Sequence, residues 1–261
     1  MEPFNKNPWS IVGSSKSRLV SNSPDPEASM VYIARVTSKD QENNKIEGLL
    51  KYCAKHGHWS VFEQGEMTVE VVTPLAIAVQ LIRHRSFKFQ QFSGRYEDQK
   101  LMRTHTGGLN AFMDMFYIPS KAREQDPKNR QNSIVSTDPE KTERMRAIMA
   151  NAYLHAIERY NELIDEGYAK EIARYVLPEG VYTRLYVKGD CRSWIHYLQV
   201  RDDEGVAQLE HVELARSIKP IFEEVFPTVN RSIDWNKSSI ESENKQLKEK
   251  IKTLEALLKN E

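Results

Sequence analysis

The sequence predicts an α/β (α+β) domain in which helices outnumber strands around a small sheet. Three observations predict it. Glu66-Met-Thr-Val-Glu-Val-Val72 and Val181 to Val187 alternate apolar and polar side chains, the two-residue period of a half-buried strand. Several longer segments instead repeat apolar residues at helical spacing. The chain has 261 residues, 39% of them hydrophobic, enough for one large domain or two small ones with a real core.

Taken in order, residues 1–30 are polar and rich in Ser, Pro and Asn, and read as an irregular arm. Val31 to Val36 is a short apolar run. Ile46, Leu49, Leu50 and Cys53 share a helix face that ends near Gly57. After the strand at Glu66–Val72, Thr73 supplies an N-cap and Pro74 an N1 proline for a helix from Leu75 to about Arg85. Gln80 and Arg83 then sit at the far end of a mostly buried helix. Glu97 to Thr137 is loop-rich, with one short β segment around Phe116 to Ile118. Asp138-Pro139 caps a long helix whose Met145, Ile148, Ala152, Ile157, Tyr160 and Leu163 face inward, stopped at Gly167. A second helix, Ala169 to Leu177, ends at Pro178. Asp190 reads as the N-cap of a helix running to about Val200, and Val206 to Val225 is a further helix bent at Pro220. Residues 31–235 form the main domain.

Residues 236–261 differ in character, being charged and free of Gly and Pro. Ile240, Leu247 and Leu254 fall seven apart, with Asn244, Ile251 and Leu258 as the companion series. That is a coiled-coil-like seam with Asn at one core position, which fixes register. Such a helix either lies on its own domain or pairs subunits; pairing is the expectation.

The charge pattern carries the chemistry. With 37 basic and 37 acidic residues the net charge is zero, so nucleic acid is an unlikely partner. Yet between Gln80 and Tyr96 the chain places Arg83, Arg85, Lys88, Arg95 and His84 with no carboxylate. Such an island repels itself unless an anion sits in it, and Arg grips phosphate through paired N–H donors. Ser93-Gly94-Arg95 adds a hydroxyl, a permissive backbone and a guanidinium suited to a phosphoryl oxygen. Cys53 and Cys191 give no disulfide framework and point to a reducing cytosol. The amino terminus lacks a signal pattern, and the apolar run at Leu75–Ile82 is too short to span a bilayer. A soluble cytoplasmic protein is expected, with no membrane partner.

Arg83-His84-Arg85, seven residues and then Ser93 resembles the signature of the flavin-dependent thymidylate synthases, the ThyX family. Ala34-Arg35-Val36-Thr37 and His56-Gly57-His58-Trp59-Ser60-Val61-Phe62-Glu63 are similar to its early segments. Phe116-Tyr-Ile-Pro119, Arg130-Gln-Asn-Ser133, Ala173-Arg174-x-x-Leu177-Pro178, Cys191-Arg192-Ser193 and Arg201 follow in the family's order. The resemblance runs from about Ala34 to about Pro227. It implies a homotetramer with active sites at subunit interfaces, each subunit built on a small central antiparallel sheet flanked by helices. The implied reaction is reductive methylation of dUMP to dTMP, with methylenetetrahydrofolate giving the carbon, FAD as cofactor and NADPH as reductant.

The resemblance implies roles residue by residue. Gln80, Leu81, Ile82 and Arg83, then Gln91, Phe92, Ser93, Gly94 and Arg95, with Arg174 and Arg201, bind dUMP. Ser60, Arg83, His84, Arg85, Gln91, Asp190, Cys191, Arg192 and His196 face FAD. Arg201 is the catalytic residue: a guanidinium at the carbonyl edge stabilises negative charge on the pyrimidine ring. Read from sequence alone, Arg201 has an ion pair with Asp202 or Asp203 as its plain alternative. Ser93 has no base beside it to make it a nucleophile. Cys191, next to Arg192 and at a helix start, is a rival nucleophile for the pyrimidine, with a buried structural thiol as the alternative. His56 and His58, with Glu63 five residues further on, lack thiols and a third close ligand, so flavin or folate contact is the expectation and no metal is expected.

Two departures from the family pattern stand out. Asp190 replaces a common Asn close to the flavin. The segment Asp202–Gln208 is one residue longer than usual and lacks the His often found before Ala207-Gln208. These motivate an alternative product, 5-hydroxymethyl-dUMP, on the same scaffold. From another class, a non-catalytic nucleic-acid-binding scaffold would use the Arg island and the tail.

Overall fold

The computed structural model describes residues 8–95 and 115–235. Its strands are β1 (Ser10–Val12), β2 (Ser15–Asn22), β3 (Glu66–Pro74), β4 (Lys88–Gln91), β5 (Arg123–Gln125), β6 (Ser133–Val135) and β7 (Tyr182–Asp190). Its helices are α1 (Pro26–Ala34), α2 (Ile46–His56), α3 (Leu75–Ile82), α4 (Pro139–Asp165), α5 (Lys170–Ala173), α6 (Cys191–Arg201), α7 (Leu209–Val225) and α8 (Pro227–Ser232). Short 3-10 turns cover Trp59–Glu63 and Arg174–Val176. The main sheet runs β1-β2-β3-β7-β4 with every neighbouring pair antiparallel, and β5 and β6 form a separate ribbon. A mixed domain around a small antiparallel sheet is therefore what the chain forms.

The β3–β7 pairing is continuous over nine residues, from Glu66↔Asp190 to Pro74↔Tyr182. Its register sets Met67, Val69 and Val71 against Gly189, Val187 and Leu185 on one buried face. Trp194, Tyr197 and Leu198 of α6 and Leu214, Ile218 and Phe222 of α7 join the same core cluster, with Met30 of α1 and Leu50 of α2. Gly189 is required where it stands: an added Cβ would lie 2.3 Å from the Phe87 ring. On the opposite face Glu70 is buried between Arg18 and Arg184, with Trp9 lying against the Arg18 guanidinium.

The irregular arm expected over residues 1–30 is corrected from residue 10 onward, where two strands and the start of α1 stand; residues 1–7 lie outside the described part. The segment is polar because its buried hydroxyls are hydrogen-bonded, which hid its strand character. Ser15 Oγ bonds Thr73 Oγ1 at 2.9 Å and Ser17 Oγ donates to the Ser217 carbonyl at 2.6 Å. The β1–β2 turn places Gly13 at φ 51°, and Ser14 donates through both its N–H and its hydroxyl to Glu213 of α7. Further on, Glu27 accepts the Thr228 and Val229 amides at 2.7 and 2.8 Å, satisfying the first turn of α8.

Four local expectations change. Thr73 is a strand residue committed to Ser15, not an N-cap; the opening amides of α3 instead donate to the Val181 and Glu179 carbonyls at 2.8 and 3.1 Å. That helix stops at Ile82, three residues short of Arg85. In α4, Asp138 caps as expected by accepting the Glu140 amide, and Ile157 and Tyr160 are buried. Ile148, at 70% exposure, and Ala152 do not face inward. A 27-residue helix spans about 40 Å, and it outruns the smaller cluster of Phe116, Tyr153, Ile157, Tyr160, Ala173 and Val181 that holds its second half. The short β segment near Phe116 is a single bridge to Val181. The tail from Asn236 lies outside the described residues.

Glu27→Ala leaves two buried amides of α8 without an acceptor. It should cost about 1–3 kcal/mol and lower the melting temperature by several degrees in a thermal denaturation scan. An unchanged midpoint would show that this contact does not fasten the amino-terminal segment to α8.

Candidate active site

Two strand-to-helix junctions without loops deliver the candidate residues. β3 passes at Pro74 directly into α3, which carries Gln80 and leads to Arg83-His84-Arg85. β7 passes at Asp190 directly into α6, which ends at Arg201. Asp190 Oδ1 accepts the Ser193 amide at 2.7 Å, the N-cap read from the sequence. Its carboxylate is thereby committed to the helix end.

The two elements meet where Arg201 Nε donates to His84 Nε2 at 3.0 Å. A guanidinium has no acceptor to offer, so His84 must present an unprotonated Nε2. Burial, then the Arg201 charge, then His196, lower the His84 pKa to about 4, keeping the ring neutral. Asp202, the alternative partner for Arg201, is taken by Arg216 Nε at 2.7 Å and Lys219 Nζ at 2.9 Å. Arg201 thus has no carboxylate partner among the described residues, and its charge is not cancelled.

Around this contact lies a ring cluster. Tyr197 and His211 stand edge-on to His84, with centroids 5.1 and 6.2 Å away. Burial, Arg201 and His84 together lower the His211 pKa to about 3, and burial raises that of Tyr197. His211 Nδ1 lies 3.2 Å from Gln80 Oε1, Gln80 Nε2 donates to Gln208 Oε1 at 2.8 Å, and Gln208 Nε2 donates to Glu210 Oε2 at 2.9 Å. Glu210 also accepts from the Tyr117 hydroxyl at 2.8 Å and from the Arg123 guanidinium.

A cleft of about 570 Å³ opens beside the start of α6, lined by Trp59, Glu63, Ser86, Asp190, Arg192, Ser193, Ile195, His196 and Gln199. Three residues expected to face FAD, namely Asp190, Arg192 and His196, share it. Ser60 is exposed on the same 3-10 turn as Trp59 and Glu63. Arg192 is ion-paired with Glu63 across the lining. Arg83 and Arg85 are exposed, and neither has a carboxylate partner among the described residues. They come just before Ser86, which lines the cleft, and guanidinium groups without a carboxylate partner fit a phosphorylated cofactor.

The end of β4 forms a second group. Gln91 Nε2 donates to Thr183 Oγ1 at 3.3 Å, and the Phe92 amide donates to the Arg184 carbonyl at 2.9 Å. Ser93 Oγ accepts the Arg95 amide at 3.4 Å. A Cβ on Gly94 would lie 3.9 Å from Arg174 Cδ, so these distant parts of the chain are neighbours. Arg95 is ion-paired with Glu171 at 3.2 Å on the adjoining α5.

Two expected site residues have side chains enclosed in the core. Leu81 is fully buried in the main core, a packing residue between Gln80 and Ile82, whose own side chain is 38% exposed. Cys191 is fully buried, its amide donates to the Gly65 carbonyl, and burial followed by Glu27 and Asp190 pushes its thiol well up. An enclosed thiol with a raised pKa is unsuited to act as a thiolate nucleophile. His56 stacks on Tyr52 at 4.1 Å and His58 stands edge-on to the same ring at 5.7 Å. The residues that sequence reading missed are Gln208, Glu210 and His211. Their signal was present: Glu210, His211 and Ser217 interrupt the buried stripe of α7 with polar groups.

Fold and site together define a known class. A family pattern described as "Thymidylate synthase complementing protein", Thy1, matches residues 18–228. The flavin-dependent thymidylate synthase of Synechocystis sp. is 42% identical over 210 residues, covering 80% of this chain and 90% of that one. The probable flavin-dependent thymidylate synthase of Paramecium bursaria Chlorella virus 1 is 42% identical over 212 residues, covering 80% and 91%. Among solved structures, the UMP/dUMP methylase PolB from Streptomyces cacaoi, bound with 5-Br dUMP, superposes with a TM-score of 0.70 at 27% identity, covering 85% of this chain and 95% of that one. The chain belongs to the family of flavin-dependent thymidylate synthases. The match begins at residue 18, inside β2, earlier than the motifs at Ala34.

His84 and His211 carry a sign-definite pH dependence. Their folded pKa values, about 4 and about 3, lie below the ordinary 6.5, so the unfolded chain binds more protons in between. Their contribution is complete above about pH 6.5 and drains away as pH falls toward 4. The melting temperature should fall over that window, and His84→Asn should flatten the slope. An identical slope in the variant would mean that His84 is not held neutral by its surroundings.

Proposed function

We propose that the chain converts dUMP to dTMP by reductive methylation, with methylenetetrahydrofolate as carbon donor, FAD as cofactor and NADPH as reductant. The observation that carries this reading is the Arg201 guanidinium, uncancelled by any described carboxylate and held through Nε by a neutral His84. Its two terminal nitrogens stay available for the carbonyl edge of a uracil ring, where developing negative charge needs a preorganised cation. Arg174, Gly94, Ser93 and Arg95 are suited to the nucleotide phosphate. Arg83, Arg85, Arg192, Ser60, Gln91 and His196 are suited to FAD, which when bound supplies the reducing equivalents.

The two carboxylates that would motivate a hydroxymethyl product have partners in the fold. Asp190 spends its carboxylate on the Ser193 amide, and Asp202 spends its own on Arg216 and Lys219. Family membership and the methylase neighbour favour the methyl product. A non-catalytic nucleic-acid scaffold has no support beside that membership. The exposed apolar stretch of α4 around Ile148 is consistent with a homotetramer whose subunit contacts complete the active sites, and the tail from Asn236 is proposed to pair subunits. No helix among the described residues is long and apolar enough to cross a membrane; a cytoplasmic location is proposed.

Arg201→Lys should retain the fold and flavin absorbance but lose turnover by about 10²–10³, since an ammonium cannot both bond His84 through Nε and present a planar fork. Normal turnover in that variant would remove Arg201 from the activating role. Mass analysis of the nucleotide formed with and without NADPH tests the reaction itself: a methyl product made only with reductant is expected, and a hydroxymethyl product would overturn it.

A further inference from the structure

A chain of hydrogen bonds that no motif predicts runs from Glu210 through Gln208 and Gln80 to His211, and its polarity is fixed from the Glu210 end. Hydrogen bonds from Gln208 and its own amide, the Arg123 charge and the Tyr117 hydroxyl outweigh burial and hold the Glu210 carboxyl below its ordinary pKa. An ionised carboxylate only accepts. Gln208 must therefore give it an N–H and turn its oxygen toward Gln80. Gln80 must give an N–H to that oxygen, which leaves its own oxygen for His211. An amide oxygen also only accepts, so Nδ1 of His211 carries the proton. Each orientation follows from the previous one.

We propose that His211 on one side and Gln208, held by Glu210, on the other position the Gln80 amide as an N–H donor to an oxygen of the nucleotide substrate. This deepens the dUMP reading and rests on it. Gln80 stands on α3, three residues before Arg83, and is half-buried. Its oxygen is occupied by His211 and one N–H by Gln208; the second N–H has no acceptor among the described residues. A carboxamide free to turn over would present oxygen or nitrogen alike, and its oxygen would repel a substrate oxygen.

His211 has little other reason to be polar. It is fully buried in the stripe of α7 that also holds Val212, Leu214, Ala215 and Ile218, and its Nε2 has no hydrogen-bond partner among the described residues. An apolar side chain would avoid the cost of that orphaned nitrogen. What the imidazole adds is the single hydrogen bond to Gln80. Neutral over the physiological range, it keeps that N–H as a fixed donor without adding charge beside Arg201.

The test uses the full-length, flavin-loaded enzyme and steady-state kinetics with dUMP. His211→Leu should raise the KM for dUMP about tenfold with kcat within about twofold, as expected for lost ground-state binding. His211→Asn, whose side-chain amide can occupy the place of Nδ1–H, should restore the parental KM. In a Gln80→Leu background, His211→Leu should add no further change, because the two act through one interaction. A parental KM in His211→Leu, no recovery with Asn, or a full additional loss in the Gln80→Leu background would overturn the proposal. Should His211→Leu fail to fold, Gln208→Met on the exposed side of the same chain tests the link by the same criteria. Absence of any dTMP from the parent enzyme would defeat the dUMP reading itself; parental turnover with unresponsive variants would defeat only the positioning role.

Discussion

The nine-residue antiparallel register of β3 and β7 is the constraint on which the site depends. Both strands run into helices with no intervening loop, α3 after Pro74 and α6 after Asp190, at opposite ends of the pairing. A slip of one residue would turn Met67, Val69, Val71, Leu185 and Val187 from the core to the outer face. It would also rotate both helix starts. Gln80 and His84 are separated from Arg201 by more than a hundred residues of chain, yet their meeting is fixed by that one alignment. β4 returns beside β7 with Lys88 opposite Lys188, which brings the Arg83-His84-Arg85 turn back toward the end of the sheet where α6 begins.

Within that frame the electrostatics follow from a single uncancelled cation. Arg201 depresses the pKa of both His84 and His211, adding to burial in each case. Two neutral imidazoles and a neutral phenol beside a guanidinium form a surrounding that does not dilute its charge, in contrast with a carboxylate. The negative charge nearest in the hydrogen-bonded chain, Glu210, is itself held by Arg123 and Tyr117 and reaches the site through two amides. Orientation is transmitted along that path while charge is not. The cost is concentrated in α7, where polar groups occupy positions that packing alone would give to aliphatic side chains.

Much of this was legible in the sequence because the signals were local. The alternation in Glu66–Val72, the stop at Gly57, the Asp138 cap and the Asp190 cap each depend on residues within a few positions of one another. The Arg83-His84-Arg85 motif and Arg201 gave the family without any knowledge of packing. What was hidden depends on partners far along the chain. Ser15 and Ser17 look like loop residues until Thr73 and Ser217 are placed against them. Thr73 looks like a cap until Ser15 claims its hydroxyl. Cys191 looks reactive beside Arg192 until α6 is docked and the thiol is enclosed. Ile148 follows the inward period of α4, but periodicity says which residues share a face and not whether anything covers it.

The two departures from the family pattern have a common physical basis in the ends of α6. At its amino end, Asp190 is a charged cap, which a helix N-terminus favours through its exposed amides and dipole. At its carboxyl end, Asp202 is the wrong sign for the dipole, and alone it would also compete for the guanidinium of the preceding residue. Arg216 and Lys219, on the face of α7 that passes this point, take both of its oxygens, and Arg216 also holds Glu204. The longer Asp202–Gln208 segment is thereby tied down on its outer side. A carboxylate that sequence alone places next to Arg201 becomes part of the strut joining α6 to α7. The Arg201–His84 contact stands beside both departures, because Asp190 faces the amides of the helix start and Asp202 is ion-paired away from Arg201.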